Sequence, residues 1–389
     1  MRFVITGGGT AGHVNPALAL AQELQNSGHE VFYAGTPQGF ESKLIPQEGI
    51  DYTGFEASGF NRKKPLSLIT SSAKIGMSAL RASKWLKSLK PDAVIGFGGY
   101  VSIPVGLAAS WRKIPLAIHE QNSRAGLANR LLAQRAQLIA LSYSAAQTEF
   151  SVAKGRIRIT GNPVRSALFT ANRTEARESF GLAQDAVVLL VFGGSLGALH
   201  LNEAIVANAE WLLAQPGLAI LHITGSRDFA MVQEAQTVLL ETQGELPEVQ
   251  PARPEAEITT PEVHSRWRLI EYCDRMGDAY AAADAVLSRA GATTLAEIAA
   301  LGKPALLVPY PHAAADEQTT NAKSLVDAGA ADMIADNQLD TPLFREKLER
   351  LVSDAAWREA MLASARSLGN AQARQELAAL VIELASDGR

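Results

Sequence analysis

The sequence predicts an α/β protein made of two Rossmann-like domains in tandem, each built on a parallel sheet. Three observations carry this. The chain has 389 residues, too many for one ordinary domain and comfortable for two. Short apolar runs alternate with helical patterns from end to end, the signature of βαβ units. Each half opens with a strand that runs into a glycine-rich turn, VITGGGTAG at residues 4–12 and VLLVFGGSLG at 188–197.

The strands expected in the first half are Phe3–Thr6, Val31–Ala34, Ala93–Phe97, Leu116–His119, Leu138–Leu141 and Arg158–Thr160. In the second half they are Val187–Phe192, Leu218–Thr224, Arg268–Glu271, Ala285–Ser288 and Ala305–Val308. After the first glycine turn a helix is expected, with Asn15 as its cap, Pro16 in its first turn and Gly28 at its end. The uncharged run 93–111 is long enough to span a bilayer, but its four glycines and Pro104 make it strand, loop and helix start instead. The stretch 240–261 lacks periodicity and reads as a surface excursion. Residues 368–386 form a last amphipathic helix.

Composition narrows the chemistry. Apolar residues make up 47% and charged residues 20%, as in a globular protein. The single cysteine, Cys273, excludes a disulfide framework and a cysteine metal cluster, and residues 1–6 read as a strand rather than a signal peptide. The net charge of −4 conceals an asymmetry: residues 1–165 carry 19 Lys+Arg against 9 Asp+Glu, the remainder 17 against 31. The two halves therefore face different partners. No nucleic-acid recognition motif accompanies the basic half.

Gly7, Gly9 and Gly12 fit the G-x-G-x-x-G spacing of a dinucleotide turn. The second strand, however, ends Tyr33-Ala34-Gly35-Thr36 without the acid that would hold a nicotinamide ribose. What remains is a loop of exposed amides at a helix start, suited to a diphosphate or a sugar hydroxyl. The second loop, Gly193 to Gly197, adds Ser195. The stretch from Ser288 to Pro311 reads as a donor site: a buried strand leads through Arg289 to Gly291-Ala292-Thr293-Thr294, then Leu295, Ala296 and Glu297 on a helix. Amides and hydroxyls at the helix start favour phosphate, and Glu297 is placed to accept from ribose hydroxyls or simply to suit the helix dipole. No D-x-D motif occurs, so leaving-group charge falls to helix dipoles and arginine rather than to a metal held by paired carboxylates.

Seven ordered motifs, GGGTAGHVNP at 7–16, GFGGYVSIP at 96–104, HEQN at 119–122, GNPVR at 161–165, GGSLGA at 193–198, RAGATTLAE at 289–297 and EQTTNA at 317–322, resemble the MurG family of N-acetylglucosaminyltransferases over nearly the whole chain. The resemblance implies a GT-B architecture with two Rossmann-like domains facing across a cleft. It implies an acceptor and membrane domain at 1–163, a UDP-sugar domain at 164–367, and a terminal helix at 368–389 returning to the first domain. The implied reaction is inverting transfer of N-acetylglucosamine from UDP-N-acetylglucosamine to the 4-hydroxyl of undecaprenyl-pyrophosphoryl-muramoyl-pentapeptide, with no cofactor. It also implies other cell-wall synthesis proteins as partners and a peripheral place on the cytoplasmic face of the bacterial plasma membrane.

Carried onto matching positions, Thr10, Ala11 and Gly12 line the region of the reacting diphosphates, and Asn122 and Gln318 bond the transferred sugar. Arg165, Ser195 and the amides of Ala292 to Thr294 meet the donor diphosphate. Cys273 lies against uracil and Glu297 holds ribose. Leu196, Glu317, Ile103 and Val105 depart from the residues usual in the family. His13 is the candidate general base, its alternative being a histidine that orders the loop. Residues 62–90 interleave cations, among them Arg62, Lys63, Lys64, Lys74, Arg81 and Lys84, with apolar residues including Trp85, the pattern of a helix on anionic headgroups. Alternatives are another lipid glycosyltransferase such as one acting on diacylglycerol, a tandem-Rossmann oxidoreductase, and a non-catalytic nucleotide-sugar-binding protein.

Overall fold

The structure is a computed structural model that describes residues 1–57, 66–151, 155–194, 197–243, 266–313 and 316–388. The chain divides into two compact units. The first comprises Met1–Ser166, Leu295–Ala300 and Gly369–Arg389; the second comprises Ala167–Thr294 and Leu301–Leu368.

The first unit holds seven strands: β1 (Arg2–Thr6), β2 (Glu30–Gly35), β3 (Asp51–Gly54), β4 (Ala93–Gly96), β5 (Leu116–Glu120), β6 (Leu138–Leu141) and β7 (Arg156–Ile159). They form one parallel sheet in the order β3-β2-β1-β4-β5-β6-β7. Both faces are covered, so the strands read as continuous apolar runs whose alternate residues enter different cores. Phe3, Ile5 and Ile95 pack on one side with Val14 and Leu18 of α1 (Ala11–Asn26). Val4, Val94 and Ile118 pack on the other with Val105 and Ala108 of α4 (Ser102–Trp111). Two further helices complete the region that matters here, α2 (Glu41–Gln47) and α3 (Leu66–Leu89), with α5 (Leu127–Ala133) following β5.

The second unit repeats the plan. Its strands β8 (Val187–Phe192), β9 (Leu218–Ile223), β10 (Trp267–Ile270), β11 (Ala285–Arg289), β12 (Ala305–Val308) and β13 (Asp332–Met333) are all parallel, ordered β10-β9-β8-β11-β12-β13. Helices α6 (Arg173–Phe180), α7 (Leu199–Ala214), α8 (Phe229–Gln243), α9 (Met276–Ala282), α10 (Ala292–Leu301), α11 (Glu317–Val326), α12 (Pro342–Ser353) and α13 (Ala355–Leu368) belong to this half of the chain. The last helix, α14 (Ala373–Asp387), lies in the first unit. Its Leu377, Ala378, Val381 and Leu384 join the core beside α1. Arg374 pairs with Glu23 at 2.5 Å, and Asn370 donates to the Thr160 carbonyl at 3.0 Å.

The expected strands are present, two of them displaced by a residue or more: the sixth runs 156–159 and the ninth 267–270. Two strands escaped the sequence. DYTG (β3) is a half-exposed edge without an apolar run, and β13 has only two residues. Both exist because a neighbour offers its open edge, β2 to β3 and β12 to β13. The first helix also starts earlier than expected. Thr10 is its N-cap and Ala11 its first residue, so Asn15 and Pro16 lie inside it. Pro16 has no N–H to donate, so the carbonyl four residues earlier lacks its usual helical partner. The cap moves to Thr10 because its carbonyl already takes the His13 and Val14 amides, at 3.1 and 3.2 Å. The expected excursion at 240–261 falls mostly outside the described residues.

Candidate active site

In a doubly wound sheet, ligands bind beyond the carboxyl ends of the strands where the strand order reverses. In the first unit that point lies between β1 and β4, in the second between β8 and β11. The loops at these points are the glycine loops, together with 97–101 and the start of α10.

Beyond β1 and β4 a cavity of about 690 Å³ opens. Its walls come from Gly8, Gly9, Thr10 and His13, from Thr36 to Gly39 after β2, from Gly99 to Val101 after β4, and from Glu56, Ala57 and Lys74. Ala11 and Gly12 begin α1, so their N–H groups are first-turn donors without intrahelical acceptors. Gly99 shows why glycine is needed here: its φ is +76°, and a Cβ would run into the Gly8 backbone.

His13 is half-buried on the cavity wall. Its Nδ1 lies 3.2 Å from the Gly8 carbonyl and 3.1 Å from Thr10 Oγ1. A carbonyl can only accept, so Nδ1 carries the proton, and the threonine oxygen shares it as a second acceptor. In the neutral ring Nε2 is then the open lone pair. Burial lowers the imidazole's pKa from its ordinary 6.5, opposed by the Gly8 carbonyl and the Glu41 charge. His119, by contrast, has both nitrogens engaged inside the protein, Nε2 donating to Gly161 O at 3.1 Å and Nδ1 facing the Gln121 amide at 3.1 Å. Burial pushes it down to about 4, a neutral structural histidine.

Asn122 follows β5. Its backbone N–H and side-chain amide donate to Glu120 Oε1, at 3.1 and 3.4 Å. Glu120 is buried, and its other oxygen takes the Gly126 N–H and the Asn129 amide, both at 2.9 Å. Burial raises its pKa while these donors lower it. Arg165 lies in the first unit with its Nε buried and without a hydrogen-bond partner among the described residues.

In the second unit, Gly194 and Gly197 adopt φ of +96° and +78°, and Ala198 caps α7. Ser195 and Leu196 lie outside the described residues. At α10, Ala292, Thr293 and Thr294 form the first turn, and Thr293 Oγ1 is buried without a partner among the described residues. Leu295 follows on the same helix with its side chain fully buried. Ala296 sits likewise inside the helix and offers at most its methyl. Glu297 is buried on the same helix. Gln318, in the first turn of α11, accepts the Tyr310 N–H at 2.9 Å through its carbonyl, which turns its NH₂ group into the donor for a ligand. Cys273 is half-buried before α9, and burial raises its thiol pKa. Arg289 pairs with Asp336 at 2.5 Å, and His200 bridges Asp336 and Asp340 at 2.8 and 2.9 Å. Among the described residues no group of three or more His, Cys, Asp or Glu side chains is placed to hold a metal ion.

The basic helix α3 buries Ile75, Ala79, Ala82 and Leu86 and exposes Lys74, Met77, Leu80, Arg81 and Lys84 on the opposite face. Trp85 is half-buried and packs against Phe55, ring centroids 5.4 Å apart, because its helical position borders the buried stripe. Trp111, at the end of α4, is exposed. Arg62, Lys63 and Lys64 lie outside the described residues. Sequence reading missed Thr36 and Tyr100 on the cavity wall and Glu41, fully buried and bonded to Thr36 and Gly9 of that wall. The sole signal was an acid preceded by glycines at 35 and 39, which becomes meaningful only once those glycines are seen to make room for its carboxylate.

A glycosyltransferase family 28 N-terminal domain model matches residues 3–141, and the corresponding C-terminal domain model matches residues 188–379. A protein of Halothermothrix orenii named UDP-N-acetylglucosamine--N-acetylmuramyl-(pentapeptide) pyrophosphoryl-undecaprenol N-acetylglucosamine transferase is 41% identical over 99% of both chains. One of the same name from Moorella thermoacetica is 35% identical over the full length of both. Among solved structures, Acinetobacter baumannii MurG superposes with a TM-score of 0.70 at 30% identity, covering 98% of this chain and 99% of its own. The calicheamicin glycosyltransferase CalG4, at 18% identity and a TM-score of 0.66, shares the fold. With both domain models matched in order and full-length relatives above 30% identity, the chain belongs to glycosyltransferase family 28, in its MurG group.

Proposed function

We propose that the protein transfers N-acetylglucosamine from UDP-N-acetylglucosamine to the 4-hydroxyl of an undecaprenyl-pyrophosphoryl-muramoyl-pentapeptide, with inversion at C1. The product is the lipid-linked disaccharide precursor of peptidoglycan, which ties the reaction to cell-wall growth, cell shape and division. The observation that carries this reading is the end-to-end relation to enzymes bearing that name.

The first-unit cavity supports an acceptor site. Its glycine-loop amides suit a diphosphate, and Nε2 of His13 is the lone pair that takes the proton of the 4-hydroxyl as O4 bonds to C1. The bond from C1 to the UDP oxygen breaks in the same step, and UDP leaves with the electron pair. In the second unit, the Gly193–Ala198 loop, the first-turn N–H groups of α10 and the unpartnered Thr293 hydroxyl suit the departing diphosphate. Arg165 is the arginine that the family resemblance assigns to the donor diphosphate. Glu297 holds the ribose, Cys273 packs on the base, and Gln318 and Asn122 bond the transferred sugar. No metal is required.

No described helix is long and apolar enough to cross a membrane. The exposed cations and apolar residues of α3 support peripheral attachment to an anionic surface; the lipid-linked acceptor makes that surface the cytoplasmic leaflet in this reading, with other cell-wall synthesis proteins as partners. The deciding experiment is turnover of UDP-N-acetylglucosamine with a lipid-linked muramoyl-pentapeptide. Formation of the disaccharide lipid is expected; transfer to diacylglycerol instead, or binding without transfer, would overturn the reading. His13→Ala tests the base: turnover is expected to fall roughly 100-fold or more with donor affinity retained.

A further inference from the structure

Glu41 is a fully buried carboxylate at the first residue of α2. Nothing in the reaction so far uses it, yet the cavity wall is built around it. Oε1 accepts the Thr36 N–H at 2.9 Å and the Thr36 hydroxyl at 2.7 Å. Oε2 accepts the Gly9 N–H at 3.3 Å. The carboxylate therefore ties the β1–α1 loop to the β2–α2 loop, and both loops line the cavity. Side chains at Gly8, Gly35 or Gly39 would collide with it.

The Gly9 N–H that Glu41 holds and the Gly8 carbonyl that takes His13 Nδ1–H belong to one peptide unit. A peptide unit is planar and rigid, with its N–H and C=O pointing in opposite directions. Fixing one end fixes the other. We infer that Glu41 is a positioning residue for His13, acting through the Gly8–Gly9 peptide as a carboxylate acts directly on the histidine of a triad. This rests on His13 being the base.

The relay does two things. It sets the Nδ1–H tautomer and aims Nε2, since the ring pivots on a carbonyl that cannot rotate while Glu41 grips the amide behind it. It also brings a negative charge close enough to favour the imidazolium that forms as the acceptor loses its proton. The other titratable groups packed around Glu41 are the hydroxyls of Tyr33 and Tyr52, which donate to Gly7 O at 3.0 Å and Thr36 O at 2.6 Å. Both have pKa values raised by burial first and by the Glu41 charge second, so they stay neutral through the working range. Gly98 lies against the His13 ring with the uncharged Asn129 amide beside it, and Lys74 is a cation on the wall of the same cavity.

The test is Glu41→Gln, with Glu41→Asp beside it, in the full-length protein. An amide cannot accept at both ends, so the E41Q side chain loses either the Gly9 or the Thr36 contacts along with the charge. Expected for E41Q is a roughly 10- to 100-fold fall in kcat, a donor KM within about twofold of wild type, and a shift of the His13 titration, followed by ring ¹⁵N resonances, to lower pH. E41D keeps the charge but shortens the reach; kcat falls while the titration stays near wild type. Wild-type kcat and an unmoved His13 titration in a folded E41Q overturn the inference, as does a kcat loss that only tracks loss of folded protein. Should E41Q fail to fold, wild-type kcat in E41D overturns it. The His13→Ala control separates the layers: retained turnover there removes His13 as base, whereas lost turnover with a normal E41Q removes only the relay.

Discussion

Replacing Met77, Leu80 and Trp111 together with serine is expected to detach the protein from membranes without touching its chemistry. The three side chains are 58%, 61% and 55% exposed, and none lines the cavity. Full burial of such a side chain contributes about 1.5–3 kcal/mol. Scaled by the exposed fraction, each adds ~1 kcal/mol on insertion, about 3 kcal/mol together. At 1.4 kcal/mol per decade that is a roughly 100-fold loss of partitioning. Lys74, Arg81 and Lys84 add about 1 kcal/mol each near an anionic surface, a term that salt screens. The assay is flotation with vesicles containing anionic or only zwitterionic lipid, at low and high salt. Wild type should float with anionic vesicles at low salt, and the triple variant should stay behind while turning over a short-chain, water-soluble acceptor normally. Equal flotation of the two proteins, or no flotation of wild type at low salt, would refute the reasoning.

Leu377→Ala, which empties a fully buried site in the core shared by α14 and α1, should cost about 2–5 kcal/mol; a melting temperature within a degree of wild type would show that the last helix does not help to hold the first unit. His200, bonded to Asp336 first and Asp340 second, has its pKa raised above 6.5. Its contribution to stability is therefore complete below pH 6.5 and fades as pH rises through the raised value, so thermal melts between pH 6 and 9 should slope downward in wild type and less so in His200→Asn. Identical slopes would contradict this. Gly197→Ala, at φ +78° and against the Thr224 carbonyl, should distort the second glycine loop and raise the donor KM several-fold; an unchanged KM would remove that loop from donor binding. Turnover should survive EDTA, given the absence of any D-x-D motif; a loss restored by Mg²⁺ or Mn²⁺ would show that a metal grips the diphosphate.

Much of the fold was legible because buried parallel strands write themselves as apolar runs. FVIT, VVLLVF and ALLV need no context. The weak strands were not legible: DYTG is a strand because β2 has an open edge, and two residues at β13 follow β12 for the same reason. The site divides in the same way. Glycines at 7, 9 and 12 announced a phosphate loop and His13 stood out as the titratable group on it. Glu41, 28 residues further on, showed no motif. Its significance lies in a contact with Gly9, between loops that only the sheet order brings together.

The amino-acid sequence by itself therefore determined the two-domain α/β plan, the glycine loops and the family, since these depend on local patterns and on residues met in order along the chain. Tertiary structure decided which face of α3 is exposed, that Trp85 packs against Phe55 and Trp111 is exposed, that Leu295 is core, and that a buried carboxylate stands behind the histidine. Those outcomes depend on which neighbours a side chain meets after the sheet has assembled, and no local pattern encodes a distance between residues from different loops.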